Sequence, residues 1–163
     1  MEEYLTRARS SYDNGENPEI GMTTPLLDFV NGTFLGQNTQ CIEGPGGEGS
    51  GSIPDGRIQR QIPGSNVWRT SCFVEIKAPD VNLDVLCDNV EVQNRQIYNH
   101  LHAREYLLLT NLWDFRLLQR NANEAQWPPV ELCRFRLSEN AVQFRILCNN
   151  FDDDNVISLQ EGF

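Results

Sequence analysis

The sequence predicts an α/β fold in which a central mixed sheet is flanked by helices. Three consecutive segments carry this expectation. Residues 67–77 hold Val67, Trp68, Cys72, Phe73, Val74 and Ile76, a strand rich in β-branched and aromatic types that Ala78-Pro79 closes. Residues 84–103 place Leu86, Val90, Ile97 and Leu101 at the spacing of one helix face. Tyr106-Leu107-Leu108-Leu109-Thr110 is a short, almost wholly apolar strand. Strand, helix, strand is an order that builds layered α/β architecture.

The remaining elements follow in chain order. Tyr4, Leu5, Ala8 and Tyr12 form a helical stripe that Asp13-Asn14-Gly15 stops. Thr24-Pro25 suits a helix N-cap and first turn, Leu26, Leu27 and Val30 give the buried stripe, and Asn31-Gly32 is the expected end. The stretch from Gly44 to Ser52 reads as a mobile linker, because it lacks the Gly-Lys-Ser/Thr ending and the apolar strand of a phosphate-cradling loop. Phe115-Arg116-Leu117-Leu118 is a strand neighbouring 106–110. Pro128-Pro129 breaks the chain, residues 131–137 make a weaker strand, and Ser138 is expected to cap a last helix with Val142, Leu147 and Phe151.

With 163 residues, 39% hydrophobic and 22% charged, the chain suits a single domain, residues 1–163, with a core at about 19–118 and a C-terminal strand and helix in 119–163. No apolar run approaches the ~20 residues of a membrane-spanning helix, and the acidic N-terminus is not a secretory signal. A cytoplasmic location and no membrane partner are expected. Cys41, Cys72, Cys87, Cys133 and Cys148 are scattered without a C-x-x-C pair and read as buried thiols. A net charge of −10 argues against a broad basic face for nucleic acid, so any DNA contact is local or assisted.

Twelve of the 13 basic residues are arginine, and Lys77 is the only lysine. A compact ammonium whose pKa responds to burial does what a guanidinium cannot. On an extended strand Glu75 and Lys77 share one face, while Val74 and Ile76 share the other. Asp55, in Ile53-Pro54-Asp55-Gly56, precedes them by enough chain for one strand to turn and be joined by the next. Two carboxylates meeting at a bend make a hard oxygen site for Mg²⁺, and a lysine on the same face can hold or help deprotonate a water. A surface Glu-Lys ion pair is the plainer alternative. His100 and His102 read as solvated or packing residues, Asp152-Asp153-Asp154 as a solvated chain exit, and Trp113 and Trp127 as core or rim packing.

Asp55, then Glu75-Ile76-Lys77, then a helix with Gln96, resembles the PD-(D/E)XK nuclease superfamily. The run from Val74 to Asp84, Leu107 to Asn111 and Asp114 to Leu117 is similar to the N-terminal nuclease domain of restriction enzymes that carry an adenine-specific DNA methyltransferase on the same polypeptide. This resemblance covers about Tyr4 to Leu118. It implies a restriction-endonuclease-like core and Mg²⁺-dependent cleavage of double-stranded DNA, with Mn²⁺ as a substitute. Asp55, Glu75 and the backbone carbonyl of Ile76 would hold the metal, Lys77 would work on the water, and Gln96 would orient the site. Gln96 opens a Gln-x-x-x-Tyr pattern in which His100 replaces the tyrosine, and Glu19 is the candidate for a further acidic residue from the preceding helix. Arg57, Arg60 and Arg95 are the candidate phosphate contacts. The resemblance also implies methyltransferase and target-recognition regions on a longer polypeptide, of which this chain would be a piece, and a dimer for double-strand cleavage. A catalytically silent nuclease-fold regulatory module and an acidic DNA mimic are the competing function classes.

Overall fold

The computed structural model describes residues 1–15, 21–44, 53–88, 95–122 and 127–150. Its helices are α1 (Glu2–Asp13), α2 (Thr23–Thr33), α3 (Leu83–Asp88), α4 (Arg95–Ala103) and α5 (Ala141–Asn149). Its strands are β1 (Thr39–Glu43), β2 (Gly56–Gln61), β3 (Trp68–Ile76), β4 (Tyr106–Thr110), β5 (Asp114–Gln119) and β6 (Val130–Arg136). Glu19, the linker residues 45–52, Val90, Phe151 and Asp152-Asp153-Asp154 lie outside the described residues.

The strands form one six-stranded sheet in the order β1-β2-β3-β4-β5-β6. Every neighbouring pair is antiparallel except β3 and β4, which run parallel. A parallel pair needs a crossover, and the segment with α3 and α4 supplies it. Alternation along β3 divides the core. Val74 and Ile76 pack with Tyr4, Leu5, Leu26, Phe29 and Phe144 from α1, α2 and α5. On the other face Phe73 packs with Leu83, Ile97, Leu101, Leu107 and Leu109, beneath α3 and α4. The sheet is therefore covered by helices on both faces, as its sequence order predicts.

Between Ile58 and Gln59 the β2–β3 register shifts, because Cys72 pairs with Ile58 and Thr70 with Gln59. Ser71 is the extra residue, and its hydroxyl donates to the Ile58 carbonyl at 3.1 Å.

Several local expectations need correction. α2 begins at Thr23 with Met22 as its uncapped N-cap residue, and it runs through Asn31-Gly32 to Thr33. Thr24 does not cap; its hydroxyl donates to Glu43 at 3.4 Å instead. Asn140, not Ser138, caps α5 by accepting the Gln143 amide at 3.0 Å. The buried face of that helix carries Phe144 and Cys148, whereas Val142 is exposed. Four cysteines are buried, but Cys133 is exposed because it sits on the edge strand β6. Burial pushes the thiols of Cys41, Cys72 and Cys148 up to about 12.

Candidate active site

Asp55 stands at the entrance to β2. The pairing of Gly56 with Val74, continued by one residue, sets Asp55 opposite Glu75, and directly opposed residues of an antiparallel pair share a face. The Asp55 carboxylate accepts the backbone amide of Ile76 at 2.7 Å. The next residue, Gly56, lets α2 and β1 pack closely here: a Cβ there would lie 2.8 Å from Leu27 Cδ2 and 3.2 Å from the Ile42 carbonyl oxygen.

Glu75 is buried, with 1% of its surface exposed. A buried carboxylate is tolerated only when its oxygens are satisfied. Lys77 Nζ donates to Glu75 Oε1 at 2.6 Å, and His100 Nε2 lies 3.0 Å from Glu75 Oε2. Lys77 Nζ also donates to Gln96 Oε1 at 3.1 Å. The backbone of Lys77 is held as well, since its amide donates to Thr110 at 2.8 Å and so extends the β3–β4 ladder. The lysine side chain remains 20% exposed, the accessible member of its pair with Glu75.

The structure thus brings Asp55, Glu75, Lys77 and Gln96 to one place. Arg57 pairs with Phe73 and therefore shares the face of Glu75; its Nε is buried without a hydrogen-bond partner. Arg60 is exposed and, by strand alternation, faces the opposite side from Arg57. Arg95 is exposed at the first residue of α4, next to Gln96. Among the described residues no group of three or more His, Cys, Asp and Glu side chains is arranged to hold a metal ion.

Sequence reasoning missed two features. His100 is fully buried and hydrogen-bonded to Glu75, so it is not a solvated side chain. The available signal was its place four residues after Gln96, which puts both on one helix face. His102, by contrast, is exposed and stacks on Tyr98 at 5.9 Å. The second feature is a charged cluster beside β5. Arg116, 2% exposed, donates to Asp114 at 2.8 Å and meets Asp84 of α3 at 2.8 Å, and Arg134 also bonds Asp114. These hydrogen bonds hold the Asp84 carboxyl below its ordinary range.

No family model and no curated protein matches this chain. A solved structure titled "cryoEM structure DrdV-DNA complex" superposes with a TM-score of 0.49 and 15% identity, over 97% of this chain and 14% of the other. This chain therefore spans only that small share of its length. The architecture given above rests on the strands and helices themselves. Among the described residues, no helix is long and apolar enough to cross a membrane.

Proposed function

We propose that this chain is a magnesium-dependent endonuclease domain that hydrolyses DNA phosphodiester bonds in a restriction–modification system. The observation that carries the reading is the convergence on one strand end: Lys77 Nζ between Glu75 at 2.6 Å and Gln96 at 3.1 Å, with Asp55 fastened to the intervening Ile76 amide at 2.7 Å. An ordinary surface ion pair would not bury its carboxylate or engage a second element.

The donor set fits Mg²⁺, which is usually held by one or two carboxylates and completes its shell with waters and phosphate oxygens. Asp55 and Glu75 would hold it, with the Ile76 carbonyl, and Glu19 is the candidate for a further carboxylate. When bound, the ion supplies charge stabilisation for the phosphoryl group and the departing oxygen. Lys77, acting as the neutral amine with its two N–H groups given to Glu75 and Gln96, would hold the attacking water through its lone pair and accept that water's proton as the new P–O bond forms and the old one breaks, while the departing oxygen takes a proton from solvent. Gln96 restrains Lys77 through its side-chain oxygen. Arg57, on the same face, would bind a neighbouring phosphate, with Arg95 as an outer contact; Arg60, expected to join them, faces the other side of the sheet and is set aside. Double-stranded DNA is the proposed substrate, delivered by methyltransferase and recognition regions of a longer polypeptide, with a second copy for the opposite strand.

A second reading is a silent nuclease fold that serves a regulatory role. It is favoured by the two oxygens of Glu75 already being taken by Lys77 and His100. Incubating plasmid DNA with the chain and Mg²⁺ or Mn²⁺ separates the two. Nicking that chelation stops and that Lys77→Ala abolishes supports the enzyme; inert protein that still takes up Mn²⁺ supports the silent fold.

A further inference from the structure

Glu75 emerges from an apolar layer formed by Phe73, Ile97, Leu101, Leu107 and Leu109, where solvent is not available as a hydrogen-bond partner. The oxygen that Lys77 does not hold is met by His100 Nε2 at 3.0 Å. His100 itself is 0% exposed and lies edge-on to Phe73, with ring centroids 5.5 Å apart. An ionised carboxylate offers only acceptors, so the proton in this contact belongs to Nε2. The other ring nitrogen, Nδ1, is buried with no hydrogen-bond partner. The ring therefore makes one polar contact in the described structure, and that contact is Glu75. Through Gln96 and His100, α4 holds both members of the Glu75–Lys77 pair from one face.

We propose that His100 is a positioning residue: by donating from Nε2 to Glu75 Oε2 it fixes the carboxylate so that Oε1 is presented beside Lys77, where a divalent cation would be held. A cation-binding role for Glu75 is the part that rests on the proposed function; the hydrogen bond is independent of it. A ring kept only for packing against Phe73 would be replaceable by phenylalanine. A ring kept for its Nε2 proton would not be, and glutamine, whose amide nitrogen reaches the place of Nε2, would serve better than asparagine, which reaches only the place of Nδ1.

The experiment has two arms on the full chain. In the first, nitrogen chemical shifts of the metal-free protein report which ring nitrogen of His100 carries a proton. Protonated Nε2 is expected; a ring protonated at Nδ1 alone overturns the proposal. In the second, Mn²⁺ uptake is measured by calorimetry for His100→Phe, His100→Asn and His100→Gln, each with a thermal melt. Phenylalanine and asparagine should lose roughly 10- to 100-fold in Mn²⁺ affinity, the usual effect of removing a group that orients a ligand. Glutamine should stay close to the unaltered chain, whatever the order of the melting temperatures. Unchanged affinity in His100→Phe overturns the proposal. An unaltered chain that takes up no Mn²⁺ defeats the metal reading instead, and the first arm then decides on His100 alone.

Discussion

The carboxylate of Asp55 accepts the amide of Ile76 at 2.7 Å, fastening the start of β2 to the end of β3. The bond gives Asp55 a structural duty beside its proposed chemical one, and substitutions separate them. Asp55→Asn keeps an acceptor for the amide, so the melting temperature should hold while Mn²⁺ uptake falls. Asp55→Ala also leaves the amide unpaired and should cost a further ~1–3 kcal/mol in denaturant unfolding. Equal Mn²⁺ uptake by Asp55→Asn and the unaltered chain would remove Asp55 from the metal site.

Another cation should not replace Lys77 if the proposed chemistry holds. Lys77→Ala should lower single-turnover cleavage by about 10²–10⁴-fold, the range for losing a positioned proton-transfer group. Lys77→Arg should not restore it, because a planar guanidinium cannot occupy the point between Glu75 and Gln96. Full cleavage by the arginine variant would mean that charge alone suffices.

The Asp-Gly pair at the head of β2 is set by packing as well as chemistry. Gly56→Ala would press a methyl against Leu27 Cδ2, the Ile42 carbonyl oxygen and Val74 Cβ, at 2.8, 3.2 and 3.3 Å. Overpacking of this kind costs about 1–3 kcal/mol, and Gly56→Val should cost more. A melting temperature unchanged by the alanine would show that α2 yields there without penalty.

Asp84 gives a pH dependence of known sign. Its carboxyl is held below the ordinary range, first through the hydrogen bond from Arg116, so it binds protons less readily folded than unfolded. The stability it adds is complete above the unfolded carboxylate value of about 4 and disappears as pH falls through the lower folded value. Melting curves on either side of that window should show a shallower acid decline for Asp84→Asn. An identical decline would mean that the pair with Arg116 adds nothing to folding.

Arg57 beside the Glu75 face does not by itself make an acidic chain a DNA-binding protein. With a net charge of −10, the isolated chain should bind DNA weakly, and its log affinity should fall only shallowly with log salt, as about 0.9 per phosphate neutralised. Titrations across a salt series check this. Tight, sequence-selective binding by these residues alone would make the domain its own reader.

The parts of this fold that the sequence exposed were those whose signal is local. Alternation in Phe73-Val74-Glu75-Ile76 set the two faces of β3, and the stripe through Ile97 and Leu101 marked the helix, while Gln96 as a site residue came only with the family resemblance. Helix starts were less legible because several side chains competed for each: Thr24 turned to Glu43, and Asn140 took the cap from Ser138. The spacing of His100 from Gln96 marked the shared helix face, but its partner stayed hidden because a histidine on a half-polar helix looks the same in sequence whether it meets water or a buried carboxylate. Arg116 was hidden for a similar reason, since Asp84 and Arg134 are remote from it in the chain.

The bulge at Ser71 decides where β3 tolerates a gained or lost residue. Side chains alternate, so a one-residue slip sends every residue beyond it to the opposite face. Deleting Ser71 would remove the irregularity and disturb only the outer turnings of the strand, Trp68 to Thr70, which are exposed or half-buried. Deleting Val74 would turn one part of the strand over relative to the other, leaving Glu75 and Lys77 facing the aromatic core of α1 and α2 or Phe73 facing away from α4. The same strand is thus permissive at one end and unforgiving at the other, and insertions and deletions in natural or engineered variants should accumulate before Cys72 and be absent from there to Lys77.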